Sequence, residues 1–132
     1  MRVEGLEHVN IVAADIGRTV AFYEKVLGLE AREIPVAPPG YPGRWIYDEQ
    51  DRAILHVQVH DPERHGALDE ARATTGAIDH VALACTDFDE MRRRCDAMGL
   101  EYRVNESPKM NFKQIFVSDP DNVLLELNFR EG

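Results

Sequence analysis

Gly5 to Asp15 reads Gly-Leu-Glu-His-Val-Asn-Ile-Val-Ala-Ala-Asp, and 72 residues later Ala77 to Asp87 reads Ala-Ile-Asp-His-Val-Ala-Leu-Ala-Cys-Thr-Asp. Both copies run small, apolar, acidic, His, Val, and both end on Asp. Self-similarity at one long spacing marks an internal duplication. The copy continues outward. Gly28-Leu29-Glu30 matches Gly99-Leu100-Glu101, Ile46-Tyr47 matches Ile115-Phe116, and Ala53-Ile54-Leu55-His56-Val57-Gln58-Val59 matches Val123-Leu124-Leu125-Glu126-Leu127-Asn128-Phe129. The offsets drift between 69 and 72, as one-residue loop insertions would produce. The 132 residues are therefore expected to form a single domain, 1–132, of two modules, 5–59 and 77–129, joined by a polar connector at 60–76. The alignment sets His8 against His80 and His56 against Glu126.

Each module reads strand, helix, strand, strand, strand. Residues 5–13 and 78–84 alternate and are rich in aliphatic residues, the pattern of a half-buried strand. Asp15 is placed to cap a helix to about Leu27 with Ile16, Val20, Tyr23 and Leu27 as its apolar stripe, and Gly28 to end it. Thr86 or Asp87 caps the counterpart, whose stripe is Phe88, Met91, Cys95 and Met98, with Arg92, Arg93 and Arg94 on the solvated face. Strands follow at 29–34 and 100–104. Hairpins at 44–48/52–59 and 112–118/123–129 turn on Glu49-Gln50-Asp51 and Asp119-Pro120-Asp121-Asn122. Pro35 to Gly43 contains four prolines and two glycines and must be loop. A short helical turn at 68–73 is expected in the connector.

Side chains alternate across a strand, so parity decides which residues share a face. His8 and Asn10 oppose Val9 and Ile11. His56 and Gln58 oppose Leu55, Val57 and Val59; His80 and Ala82 oppose Val81 and Leu83; Glu126 and Asn128 oppose Leu125, Leu127 and Phe129. The apolar face belongs against the helices. The architecture expected is α+β, a cupped mixed β-sheet with helices on its outer face and a polar inner face. That face carries His8, His56, His80 and Glu126. Imidazoles and a carboxylate suit Zn, Mn, Fe, Co or Ni, and three such ligands leave positions open for water and substrate. His60 and His65 fall in the connector and are read as surface residues. Trp45, Tyr47, Gln114 and Phe116 alternate onto one hairpin face, suited to core packing or to substrate contact. Loops 35–43 and 105–111 are natural rims, with Arg44 and Lys109 suited to an anionic substrate group but read by default as solvated.

The net charge of −9 opposes binding to nucleic acid or an anionic membrane. No apolar run is long enough to span a bilayer, and the leading Met-Arg-Val-Glu has no signal-peptide core. Cys85 and Cys95 lack a CxxC spacing and read as free buried thiols, so a cytoplasmic protein is expected.

The paired modules, the opening Leu6-Glu7-His8-Val9, the run Phe22-Tyr23-x-x-Val26-Leu27-Gly28-Leu29 and the ending Asp119-Pro120-Asp121-Asn122-x-x-x-Glu126 resemble the vicinal oxygen chelate superfamily. This group includes glyoxalase I, methylmalonyl-CoA epimerase, fosfomycin-resistance thiol transferases, bleomycin-binding proteins and extradiol dioxygenases. The resemblance implies that metal ligands come from the first and last strands of each module, hence His8, His56, His80 and Glu126. It also implies one divalent metal chelating a small oxygen-bearing substrate for isomerase or lyase chemistry through an enediolate-like intermediate. His8, His80 and Glu126 match the two-His, one-carboxylate triad of Fe(II) dioxygenases, the alternative chemistry. His56 is then a fourth ligand or a catalytic acid/base. A metal-free small-molecule binding or resistance protein is the third reading, and a homodimer the expected assembly.

Overall fold

The computed structural model describes residues 1–66 and 73–130. Among these, module one contains β1 (Val9–Ala13), α1 (Ile16–Lys25), β2 (Glu30–Arg32), β3 (Arg44–Tyr47) and β4 (Ala53–Val59). A short helix, α2 (Pro62–His65), opens the connector. Module two contains β5 (Val81–Cys85), α3 (Phe88–Ala97), β6 (Tyr102–Ser107), a 3-10 turn (Pro108–Met110), β7 (Phe112–Ser118) and β8 (Leu124–Arg130). The duplication expected from sequence is therefore present in three dimensions. Ladder bonding stays within each module, giving two four-stranded mixed sheets ordered β1-β4-β3-β2 and β5-β8-β7-β6. In each, the last strand lies between the first, which it pairs in parallel, and the third, which it pairs antiparallel.

Local chemistry explains the boundaries. Asp15 accepts the Arg18 N–H to start α1, and Asp87 accepts the Glu90 N–H to start α3. Gly28 and Gly99 follow the two helices with φ of +70° and +64°, which a side chain would strain. Ile11, Ala13, Leu55, Val57 and Ile46 of the first sheet and Ile115, Val117, Leu125, Leu127 and Phe129 of the second are buried with Phe22, Tyr23, Val26, Phe88, Met91 and Cys95 of the helices. The parity argument thus assigned the apolar face correctly, apart from Val59, which is exposed at its strand end.

Several expectations are corrected. β1 and β5 begin after His8 and His80, so both histidines stand at the entrances of their strands. The buried stripe of α1 is Thr19, Phe22, Tyr23 and Val26; of the expected set Tyr23 is buried and Ile16 and Leu27 are partly buried against the core, whereas Val20 stands outside it. The reason lies in module two. The Thr19 hydroxyl donates to Asp121, Ala14 N–H donates to the other Asp121 oxygen at 3.0 Å, and the Tyr23 hydroxyl donates to Asp119 at 2.7 Å. The helix is rotated so that two hydroxyls meet two carboxylates of the β7–β8 turn. Burial pushes the Asp119 carboxyl above its ordinary pKa and the Tyr23 hydroxyl well above its own. Arg94 is likewise not on the solvated face: it bonds Glu90 at 3.0 Å and reaches the Val26 carbonyl at 3.4 Å. Met98 is exposed rather than buried. β6 runs through Ser107, into what reads as loop. The helical turn expected at 68–73 lies, except for Ala73, outside the described residues.

The repeat extends to the hairpin turns. Asp48 accepts the N–H groups of Gln50 and Arg52, and Asp119 those of Asp121 and Val123. Asp51 and Asn122 both have φ of +62°. One alignment shifts by two: Trp45 faces His56 whereas Phe116 faces Glu126, so Trp45, not Tyr47, is the counterpart of Phe116. A two-residue shift preserves the face of every side chain. Cys85 and Cys95 are free, and burial pushes the Cys85 thiol up to about 11. No helix among the described residues is long and apolar enough to cross a membrane.

Candidate metal centre

In module two, β8 is flanked by β5 and β7, and Glu126 projects from it on the face away from the helices. Phe116 stands directly across the β7–β8 ladder from Glu126. On the other side His80, two residues before Ala82 and so of the same parity, brings Nε2 to 4.0 Å from Glu126 Oε2. Asp79 holds His80 Nδ1 at 2.8 Å. A carboxylate on Nδ1 fixes the tautomer with its proton there, leaving the Nε2 lone pair for an electrophile. The hydrogen bond that His80 donates to Asp79 is also the main reason the His80 pKa is raised; the charges of Glu126 and Asp79 add to it, and partial burial opposes it.

Glu126 is itself held by a row of amides. Asn128 donates to its Oε2 at 3.1 Å, Gln114 donates to Asn128 at 3.0 Å, and Asn105 donates to Gln114 at 2.8 Å. Each bond donates towards the carboxylate, so the row fixes the orientation of the Glu126 oxygens. Gln114 and Phe116, ambiguous in sequence between core and substrate contact, therefore stand on the ligand face.

Module one repeats the plan with one change. Glu7 holds His8 Nδ1 at 2.9 Å, as Asp79 holds His80. The position of Glu126 is taken by His56, whose ring stacks on His8 with centroids 3.7 Å apart and planes 14° apart. Trp45, opposite His56 on β3, stacks at 4.4 Å and 10°. Because β4 lies between β1 and β3, the two neighbours cover opposite faces of the His56 imidazole. Burial, and then the charge of His8, lowers the His56 pKa. The acidic residue before each histidine was visible in the repeat as Glu7-His8 and Asp79-His80; its role as an anchor was missed in the sequence.

The four expected ligands are thus brought together as two pairs, His8 with His56 and His80 with Glu126. Among the described residues, no three His, Cys, Asp or Glu side chains stand close enough to hold one metal ion. A cleft of about 520 Å³ runs along β1 and the segment leading into β5; of the four candidates it takes in only His80. His60 and His65 serve the connector: His60 Nε2 lies 2.7 Å from the Gly66 carbonyl, and His65 Nδ1 accepts the Asp61 N–H. Lys109 is exposed. Arg44 is not simply solvated, because it donates to the carbonyls of Tyr41 and Gly43 and ties down the Pro-rich loop.

A family model described as the Glyoxalase/Bleomycin resistance protein/Dioxygenase superfamily matches residues 5–127. The chain belongs to this superfamily. It is 24% identical to "Glyoxylase I 4" of Arabidopsis thaliana, over 96% of this chain and 71% of that protein. A glyoxylase/bleomycin resistance protein/dioxygenase domain from Frankia sp. EAN1pec has a TM-score of 0.75 at 17% identity, covering 98% of this chain and 94% of that one. A fosfomycin resistance protein, FosX, from Listeria monocytogenes, complexed with Mn(II) and 1S,2S-dihydroxypropylphosphonic acid, has a TM-score of 0.65 at 21% identity, covering 96% and 90%. At these identities the solved structures establish the shared fold.

Proposed function

We propose that the protein is a divalent-metal-dependent enzyme of the vicinal oxygen chelate type, with His8, His80 and Glu126 as ligands, acting on a small oxygen-bearing substrate in isomerase or lyase chemistry. The observation that carries this reading is the His80–Glu126 pair. An imidazole nitrogen freed by a carboxylate on the opposite nitrogen faces a carboxylate that an amide row holds in place. His8, with Glu7 on Nδ1, offers the same kind of donor from module one. The donor chemistry fits a divalent ion such as Mn, Fe, Zn, Ni or Co. Because the described donors of one chain stand as two pairs and not as one set of three, this reading takes His80 and Glu126 from one copy and His8 from a second copy in a homodimer. When bound, the ion supplies Lewis acidity and a template for two substrate oxygens.

The residues around the pair have definite tasks. Asp79 and Glu7 set the tautomers of the two histidines. The row from Asn105 to Asn128 orients the Glu126 oxygens. Phe116, with Arg103 over its ring at 4.5 Å, walls the pair on the β7 side and excludes water there. A cytoplasmic location and the single-domain organisation belong to the same reading.

The test is a substrate-class comparison on protein loaded in turn with Mn(II), Fe(II), Zn(II), Ni(II) and Co(II). Metal-dependent exchange of solvent deuterium into an α-hydroxycarbonyl compound supports the isomerase or lyase reading. Oxygen uptake with catechols on Fe(II) replaces it with the dioxygenase reading. Opening of fosfomycin on Mn(II) assigns epoxide chemistry instead. Small-molecule binding that is indifferent to chelator, with no turnover, contradicts the enzyme reading.

A further inference from the structure

The ring stack of module one has a consequence for which residues touch the metal. An ion bound by an imidazole lies in the plane of that ring, along the nitrogen lone pair. The planes of His8 and His56 are offset by about the thickness of a ring and inclined by only 14°. Such planes meet only roughly 15 Å away, far beyond a metal–nitrogen bond of about 2.1 Å. The two rings as stacked cannot ligate one ion. His8, not His56, is the ring with a carboxylate on Nδ1, the feature it shares with His80. His56 has both faces covered, by His8 and by Trp45.

We propose that His56 is a positioning residue: clamped by Trp45, its ring fixes the plane of the His8 imidazole and with it the direction of the Nε2 lone pair that would hold a metal, and His56 itself would not ligate. The proposal rests on the metal reading above and replaces the ligand or acid/base role expected for His56 from sequence. Glu7 sets one axis of the His8 ring by hydrogen bonding, and the stack sets the other. A flat ring of any kind performs the task, whereas a ligand requires a nitrogen.

The test is Co(II) titration of the wild-type chain, His56→Phe and His56→Ala, read by the visible absorption of the bound ion. His56→Phe is expected to bind within about threefold of wild type with the same spectrum. His56→Ala is expected to bind about 10–100-fold more weakly, the usual loss when a group behind a ligand is removed, with the same spectrum at saturation. A His56→Phe spectrum showing one nitrogen fewer, or a loss equal to that of His56→Ala, overturns the proposal while leaving the metal site standing. Absence of Co(II) uptake by wild type removes the metal reading and the proposal together. Imidazole 15N spectra of the wild-type chain with Zn(II) decide the matter without variants. Coordination shifts confined to His8 and His80 support the proposal, and a coordination shift on His56 overturns it.

Discussion

At Asp119 the protein keeps a carboxyl group only 4% exposed. Burial raises its pKa, and the hydroxyl of Tyr23 and the N–H groups of Val123 and Asp121 pull it back. Because the folded value lies above the unfolded one, the contribution of this group to stability is fullest below the unfolded pKa. It is lost as pH rises through the folded value. Tyr23→Phe removes a donor to the charged form and raises the folded pKa further. It is expected to cost about 1–3 kcal/mol at a pH above the folded pKa of Asp119, where the unpaired oxygen is charged, and distinctly less at a pH below it. Urea unfolding at the two pH values checks this, and an equal loss at both would show that Tyr23 does not act through the carboxylate. At Asn128 the matching expectation concerns the ligand. Asn128→Leu should weaken Mn(II) binding about 10–100-fold without unfolding the chain, by releasing Glu126 from its amide row. The four ligand-type residues were legible because duplication places them at equivalent positions of equal parity. Asp119 and Asp121 were not, because acidic residues in a hairpin turn look the same whether they meet solvent or another module.

Helix α1 shows what sequence conveys about an element and what it does not. Its cap and its terminal glycine are local signals, and both stand where expected. Its buried face depends on a partner 100 residues away, and the Thr19 and Tyr23 hydroxyls could not be counted as inward until Asp121 and Asp119 were seen to receive them. Asp15→Ala is expected to cost about 1 kcal/mol, the usual value of an N-cap. Thr19→Val should cost about 1–3 kcal/mol, because a buried Asp121 oxygen loses its partner. Chemical denaturation separates the two, and a Thr19→Val variant as stable as wild type would contradict the assigned role of that contact. The two-residue shift between β3 and β7 is likewise a matter of pairing. Ile46-Tyr47 resembles Ile115-Phe116 in sequence, but the ladders set Trp45 against His56 and Phe116 against Glu126, a register that one-dimensional similarity does not show.

At the scale of the molecule, the paired modules and the face that carries His8, His56, His80 and Glu126 were readable from the repeat, whereas the separation of these residues into two pairs was not. Strand parity states which residues share a face and says nothing of the distance between the two sheets. The proposed site across two copies makes a complementation experiment decisive. His8→Ala and Glu126→Ala chains each lack one half. Mixed and allowed to exchange, they should regain wild-type affinity in about a quarter of all sites, since half the dimers are mixed and each mixed dimer has one intact site. A site contained within one chain would regain nothing. The most direct measurement is metal stoichiometry of the anaerobically purified wild-type protein beside His80→Ala. About one divalent ion per chain in the wild type, lost in the variant, is the result expected of an open site built on His80. An ion retained in full by His80→Ala, or no ion taken up by either protein on addition of Fe, Mn, Ni, Co or Zn, would contradict it.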